Sequence, residues 1–167
     1  MPNNILLYER QTIRQKWLWL LLGGTTLYLL YGSFAAMFIQ NSAVPPMMAT
    51  SLLIMLGVDI LLWLMKLEFL IKTDGFYFRF RPFTIRYKRV AWEDLEDIRV
   101  RSYKPLREFG GWGLRIGFGG QGMALTISGN KGVQLVFKNG RRILIGTRQA
   151  EKVEQILSQL KNPHSAE

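Results

Sequence analysis

The stretch GFYFRFRPFTIRYKR, residues 75–89, alternates aromatic and basic side chains and decides the fold class that the sequence predicts. Three phenylalanines share one side of the alternation: Phe76, Phe78 and Phe80. Tyr77 and Arg79 occupy the other side, and a period of two residues is typical of a strand with one buried face. The alternation resumes after Pro82, with Ile85 and Tyr87 opposite polar residues. We therefore expect strands over residues 76–80 and 83–90, with the phenylalanines in the core.

Segments of the same kind surround this stretch. Further strands are predicted for 67–73, 98–103, WGLRIGF, MALTIS, VQLVF and RILIG, with an acidic helical turn over 91–98. Asp74-Gly75 and Asn139-Gly140 are strong signals for tight hairpins, and Gly129-Asn130 is expected to join MALTIS to VQLVF in the same way. The pattern indicates seven or eight antiparallel strands that curl into a β-barrel.

The period changes after Thr147, which is a plausible helix N-cap. Over residues 149–160 the apolar side chains recur at helical spacing and form one face. They are Val153, Ile156, Leu157 and Leu160. We expect this C-terminal helix to close one end of the barrel.

Two long apolar segments precede the strands. Residues 17–39 carry no charge, and residues 47–65 carry only Asp59. As helices they would measure about 34 Å and about 28 Å, enough to cross the hydrocarbon core of a bilayer. The short loop between them contains Pro45-Pro46, which ends one helix and permits another. The sequence thus predicts a transmembrane hairpin over 17–65.

Flanking charge predicts how this hairpin is oriented. Arg10, Arg14 and Lys16 precede it, Lys66 and Lys72 follow it, and the connecting loop QNSAVPP has no charge. Positive residues collect on the cytoplasmic side of inner membranes. We therefore expect a cytoplasmic N-terminal segment (1–16), the hairpin, a cytoplasmic domain (66–161) and a tail (162–167), with both termini inside.

Asp59 is the one ionisable side chain within the predicted spans. An intramembrane carboxyl indicates a functional site by default, so an ion- or solute-handling role is one interpretation. Packing against the small and polar residues of the first span, among them Thr25 and Thr26, is the other.

Composition excludes several kinds of site. The chain has no cysteine and a single histidine, His164 in the polar tail, so disulfides, thiolate metal sites and clusters of imidazoles are excluded. GFGGQG (117–122) fits a glycine-rich phosphate motif, but a predicted strand follows it where a dinucleotide site needs a helix. No nucleophile–base pair or metal cluster is visible, so we expect neither enzyme activity nor a cofactor.

The net charge of +10 points instead to an anionic partner. Five cations of the opening stretch are predicted to project outward, toward acidic lipid: Arg79, Arg81, Arg86, Lys88 and Arg89. Nucleic acid would need exposed aromatic rings beside them, and only Tyr77 and Tyr87 qualify. Trp112, within EFGGWG, either closes the barrel or belongs to an exposed recognition surface.

Several short motifs carry a resemblance to a known family. The segments IKTDGFYFRF, RVAWEDLEDIRV and GTRQAEKVEQIL, with REFGGWGLR, resemble bacterial pleckstrin-homology-like membrane proteins, in an uncharacterised subgroup. The resemblance covers residues 66–160. It implies a small β-barrel capped by a terminal helix, acting as a non-enzymatic module that binds lipids, peptides or proteins.

The sequence therefore predicts a pleckstrin-homology-like module on a two-helix anchor, active in binding or assembly at the cytoplasmic face of a bacterial inner membrane. Its expected partners are an anionic lipid surface and another membrane or cytoplasmic protein. The alternatives are an ion- or solute-handling membrane component that uses Asp59, and a membrane-tethered nucleic-acid binder.

Overall fold

The computed structural model describes residues 5–39, 43–117 and 119–161. These residues form two compact units. One unit contains the described residues up to Thr12 and from Lys66 onward, and the other spans Ile13–Met65. Residues 40–42 of the connecting loop, Phe118 of the glycine-rich motif and the predicted tail 162–167 lie outside the described residues.

The second unit consists of two apolar helices. Helix α1 (Lys16–Phe34) continues into a π-helical turn (Ala35–Ile39), and helix α2 (Pro46–Leu64) starts with a proline in its first turn, where a missing N–H costs nothing. Both helices are long and apolar enough to cross a membrane. The predicted segment 17–39 is helical throughout, and the predicted segment 47–65 is helical up to Leu64.

The first unit contains two β-sheets, and the first of them has four antiparallel strands in chain order. These strands are β1 (Ile5–Thr12), β2 (Lys66–Lys72), β3 (Gly75–Arg81) and β4 (Lys88–Val90). The three phenylalanines of β3 are buried, as predicted. The Asp74-Gly75 turn joins β2 to β3 as expected. A side chain at Gly75 would meet the carbonyl oxygen of Val90, so only glycine fits there.

Strand β1 was not predicted. Its pairing partner, β2, follows the helical unit, so the two strands are more than fifty residues apart in the sequence. It pairs with β2 along its length, and Thr12 lies opposite Lys66. The helical unit is therefore an insertion between two adjacent strands of one sheet. Glu9 and Gln11 of β1 are buried and contact the far end of the chain.

The second sheet has five strands in the order β5-β8-β9-β7-β6. They are β5 (Leu95–Ser102), β6 (Gly113–Ile116), β7 (Met123–Thr126), β8 (Lys131–Phe137) and β9 (Arg142–Gly146). A 3-10 turn (Trp92–Asp94) connects β4 to β5, and a short helix α3 (Pro105–Phe109) connects β5 to β6. Asn139-Gly140 turns β8 into β9, as predicted.

The prediction of a closed antiparallel barrel is wrong. In the described residues the strands form two separate sheets, and β7 pairs with β9 in parallel. The expected hairpin at Gly129-Asn130 is also wrong, because β9 lies between β7 and β8. Periodicity shows which face of a strand is buried but not which strand is its neighbour.

The predicted strand over 83–90 is shorter than expected. Only Lys88–Val90 pairs with β3, and residues 82–87 form a loop. Pro82 has no N–H to donate to a sheet, which ends the pairing. The Thr84 hydroxyl instead accepts the backbone N–H of Phe80 at 2.6 Å.

The C-terminal helix α4 (Ala150–Lys161) matches the prediction. Val153 and Leu157 are buried on its inner face, and the helix contacts β5, β8 and β1. The Thr147 hydroxyl accepts the backbone N–H of Gln149 at 3.0 Å, just before the helix begins.

The insertion topology predicts that the first unit folds without the helices. Because Thr12 and Lys66 are paired residues of adjacent strands, replacing Ile13–Met65 by Asn-Gly should leave a two-residue hairpin of favoured geometry. We expect a water-soluble protein with a cooperative thermal transition, measured by circular dichroism.

The matched control is a chain that starts at Lys66 and so lacks β1. It leaves the β2 edge and the partners of Glu9 exposed, and we expect it to aggregate or to melt at a clearly lower temperature. Equal stability of the two proteins would show that β1 is dispensable.

Candidate functional site

A carboxylate organises the outer face of the first sheet. Glu68 is 2% exposed, and Arg10, Glu68 and Arg79 lie side by side in register on β1, β2 and β3. Glu68 accepts hydrogen bonds from Nε of Arg79 at 2.8 Å and from the Tyr87 hydroxyl at 2.8 Å. The Arg79 guanidinium stacks on the Tyr87 ring at 4.3 Å. Arg79 is thus committed to a partner within the sheet.

These contacts lower the pKa of Glu68 and raise the pKa of Tyr87. Burial by itself would raise the pKa of Glu68, but the hydrogen bonds from Arg79 and Tyr87 and the nearby positive charges outweigh it and lower that pKa. Burial, followed by the hydrogen bond to Glu68, raises the pKa of Tyr87 to about 12. The cluster is therefore an ionised carboxylate held by a cation and a neutral phenol over the whole neutral range.

We predict that Glu68→Gln destabilises the first unit by about 2 kcal/mol at pH 7, since a neutral amide cannot form an ion pair with the Arg79 guanidinium. The lowered pKa means that the stabilisation is fully present above the unfolded pKa near 4.5 and is lost as the pH falls through the lower folded value. The melting temperatures of the two full-length proteins in detergent should therefore differ at pH 7 and converge in acid.

Glu96→Gln, which removes an exposed carboxyl from β5, is the matched control and should change the melting temperature little. A Glu68→Gln effect that persists unchanged at pH 3 would show that charge is not its origin.

Asp74 holds a second group of the predicted residues. It accepts the Tyr77 hydroxyl at 2.6 Å and lies 3.5 Å from the Arg89 guanidinium. The hydrogen bond from Tyr77, with smaller contributions from the neighbouring cations, lowers the pKa of Asp74. Tyr77 and Arg89 thus stabilise the β2–β3 turn.

The remaining cations of the opening stretch flank the loop 82–87. Arg86 and Lys88 are exposed, and Arg81 is half-buried at the end of β3. The structure therefore separates the five predicted cations into two sets. Arg79 and Arg89 are ion-paired on the sheet, whereas Arg81, Arg86 and Lys88 surround the loop.

This loop lies at a distinctive end of the first sheet. At that end β1 stops at Thr12, β2 starts at Lys66 and β3 stops at Arg81, and the three residues are neighbours in register. The chain leaves for the helical unit after Thr12 and returns just before Lys66. We call this the junction end, and the loop 82–87 continues directly from it.

A chain of contacts links the junction end to the second sheet. The Arg148 guanidinium donates to the Thr12 carbonyl at 3.2 Å and to the Ser128 hydroxyl at 2.8 Å. The backbone carbonyl of the following residue, Gly129, accepts the indole N–H of Trp112 at 2.9 Å. Trp112, which leads into the edge strand β6, is therefore anchored beside the end of β1, and its ring remains exposed.

Several large apolar side chains of the loop 82–87, of α3 and of the β6–β7 hairpin are exposed. Ile116 is 82% exposed, Ile85 is 76%, Leu106 is 69% and Phe83 is 55%. With them we define the junction surface, whose members are Phe83, Ile85, Leu106, Trp112, Leu114, Ile116 and Met123. Phe83, Leu114 and Met123 line one common cavity, so the loop 82–87 and the β6–β7 hairpin adjoin each other. Apolar surface of this kind marks interaction sites.

The segments that carry the junction surface are basic. Residues 81–89 contain four cations and no acid, and residues 103–126 contain three cations and one acid, Glu108. That carboxylate is already engaged, because it accepts Arg101 Nη1 at 2.8 Å and the backbone N–H of Lys104 at 2.7 Å. These bonds also hold α3, which presents Leu106.

Sequence patterns missed most of the junction surface. Alternation placed Ile85 with Tyr87 on one face of a predicted strand, opposite polar residues, and Leu114 and Ile116 belonged to the predicted strand WGLRIGF. Pro82 was the available signal, since a proline within such a run indicates an edge or a loop. Trp112 does not close a barrel, and its role in an exposed recognition surface stays a prediction.

Asp59 lies in the helical unit, against α1. Its Oδ2 accepts the Thr26 hydroxyl at 2.7 Å, and Thr26 is buried. This hydrogen bond joins α1 to α2, as the packing interpretation of Asp59 expects. It also gives Asp59 a polar partner in an otherwise apolar hairpin.

Within the described residues, no group of three or more His, Asp or Glu side chains is placed to hold a metal ion. No protein-family model matches the chain, and no curated protein does.

Proposed function

We propose that the protein is a non-enzymatic binding module of the pleckstrin-homology-like type, anchored by its helical hairpin and docked on the anionic cytoplasmic leaflet of a bacterial inner membrane. The observation that carries the proposal is the junction surface. Its exposed apolar side chains belong to the loop 82–87, which continues from the junction end, to α3 and to the segment from Trp112 to Met123. Arg86 and Lys88, exposed cations, lie within that loop and directly after it. Only one residue, Met65, separates α2 from β2 along the chain.

The chemistry of the surface suits a lipid interface. Apolar side chains such as Ile85 and Ile116 gain free energy on leaving water, and each nearby cation adds about 1 kcal/mol at an acidic leaflet. Because the hairpin holds the unit at the bilayer, even weak contacts are formed at a high effective concentration. Docking would thus fix the orientation of the unit rather than recruit it.

The sheet topology supports an even number of membrane crossings. Strand β1 precedes the hairpin and β2 follows it, and the two strands pair in one sheet. If both helices span the bilayer, the first unit and both of its connections lie on one side. The cations that flank the hairpin favour the cytoplasmic side.

The proposal predicts that Ile85 lies in the lipid interface. The natural chain has no cysteine, so Ile85→Cys can be labelled cleanly with an environment-sensitive fluorophore in full-length protein reconstituted in phosphatidylglycerol nanodiscs. We expect quenching by spin-labelled lipid and protection from aqueous iodide.

Thr73→Cys is the matched control. Thr73 is exposed at the opposite end of the first sheet, roughly 20 Å along β2 from the junction end. Its label should respond to iodide and not to the lipid quencher. Equal iodide access at both positions would contradict docking, and quenching of both by lipid would contradict the assigned orientation.

Orientation has its own test in intact cells. A membrane-impermeant maleimide should label Ser42→Cys in the connecting loop and should not label Asn139→Cys in the β8–β9 turn until the membrane is permeabilised. The reverse pattern would place the first unit outside.

A further inference from the structure

The inner faces of the two sheets enclose a cavity of about 340 Å³. Its walls are apolar side chains from both sheets, among them Phe78 and Phe80 of β3, Leu125 of β7 and Ile143 of β9. The sheets do not close into a barrel, and the cavity occupies part of the space between them. A volume at the low end of the range for ligand sites suits one aliphatic chain rather than a two-chain lipid.

The mouth of the cavity belongs to the junction surface. Phe83, Leu114 and Met123 line the cavity and are also exposed. Phe83 stacks on Phe80 with ring centroids 5.8 Å apart, so the loop 82–87 forms one wall of the opening. A molecule could therefore pass between the docking surface and the cavity without crossing water.

Apart from Thr84, the polar residues of the lining are cationic. Lys88 and Arg141 line the cavity and are exposed, and Arg141 lies over the Phe137 ring at 5.5 Å. Arg89 is the third cation of the lining, and no lining residue among the described ones is acidic. An apolar interior with positive charge beside it is complementary to an anionic amphiphile.

We propose that this cavity binds the acyl chain of a single-chain anionic phospholipid, with the phosphate held by Lys88 and Arg141. The inference rests on the proposed function, because the lipid enters from the docked leaflet. It makes the first unit a sensor or carrier of anionic lipid as well as a docked domain.

The test uses the full-length protein in phosphatidylcholine nanodiscs. Lysophosphatidylglycerol with a diazirine near the end of its acyl chain is added, irradiated and mapped by peptide mass spectrometry. We expect adducts on the buried walls, at Phe78, Phe80 or Leu125. A lysophosphatidylcholine with the same chain should react less, because it lacks the net charge.

Three variants report on the site. Met123→Trp obstructs the mouth and should lower the adduct yield on the walls several-fold. Arg141→Gln should lower it about fivefold for the anionic probe, the effect of one lost phosphate contact. The loss should be smaller for the zwitterionic probe, because its choline group offsets the phosphate charge. Lys138→Gln removes an exposed charge from the same turn without touching the cavity and is the matched control.

Adducts confined to Ile85, Ile116 and the helices, with no effect of Met123→Trp, would overturn the cavity site. Equal loss with Arg141→Gln and Lys138→Gln would overturn the assigned phosphate contact. The depth of the Ile85 label separates the two proposals. If Ile85 is in lipid and the walls are unlabelled, only the cavity fails, whereas an Ile85 label in water removes the docking as well.

Discussion

The first unit depends on the buried carboxylate of Glu9, which joins β1 to residues near the C-terminal helix. Glu9 is 3% exposed and accepts three hydrogen bonds, from the Thr147 hydroxyl at 2.6 Å, the Arg148 backbone N–H at 2.7 Å and the Gln11 side chain at 2.7 Å. A carboxylate without such partners would be costly to bury. The bonds therefore fix β1 against the start of α4, and β1 in turn supplies the outer edge of the first sheet.

Because β1 and β2 are neighbours in one sheet, the helical hairpin is an insertion between two adjacent strands. The chain leaves the β-rich unit after Thr12 and returns at Lys66, the residue paired with Thr12. Both connections emerge at one end of one sheet. The loop 82–87 continues from the same end of the first sheet.

Carboxylates then decide which cations are available. Glu68 engages Arg79, Asp74 engages Arg89, and Glu108 engages Arg101, each within its own sheet or turn. The positive charges left around the loop 82–87 are those of Arg81 at the end of β3, Arg86 in the loop and Lys88 at the start of β4. The nucleic-acid alternative is also weakened. The hydroxyls of Tyr77 and Tyr87 donate to Asp74 and Glu68, so both tyrosines are held by contacts within the first sheet. For Asp59, the bond to Thr26 favours packing over ion handling.

The sequence by itself determined the two apolar helices, the buried phenylalanine face of β3, the Asn139-Gly140 hairpin and the amphipathic helix α4. Each of these is encoded locally, in composition or in a period of two or 3.6 residues. Only the tertiary structure decided the pairing of β1 with β2, the parallel contact of β7 with β9 and the junction surface. Strand pairing joins residues far apart in the chain, and exposure depends on which neighbour covers a side chain. Ile85 and Ile116 look like core residues locally and are exposed because nothing in the described part of the unit lies over them.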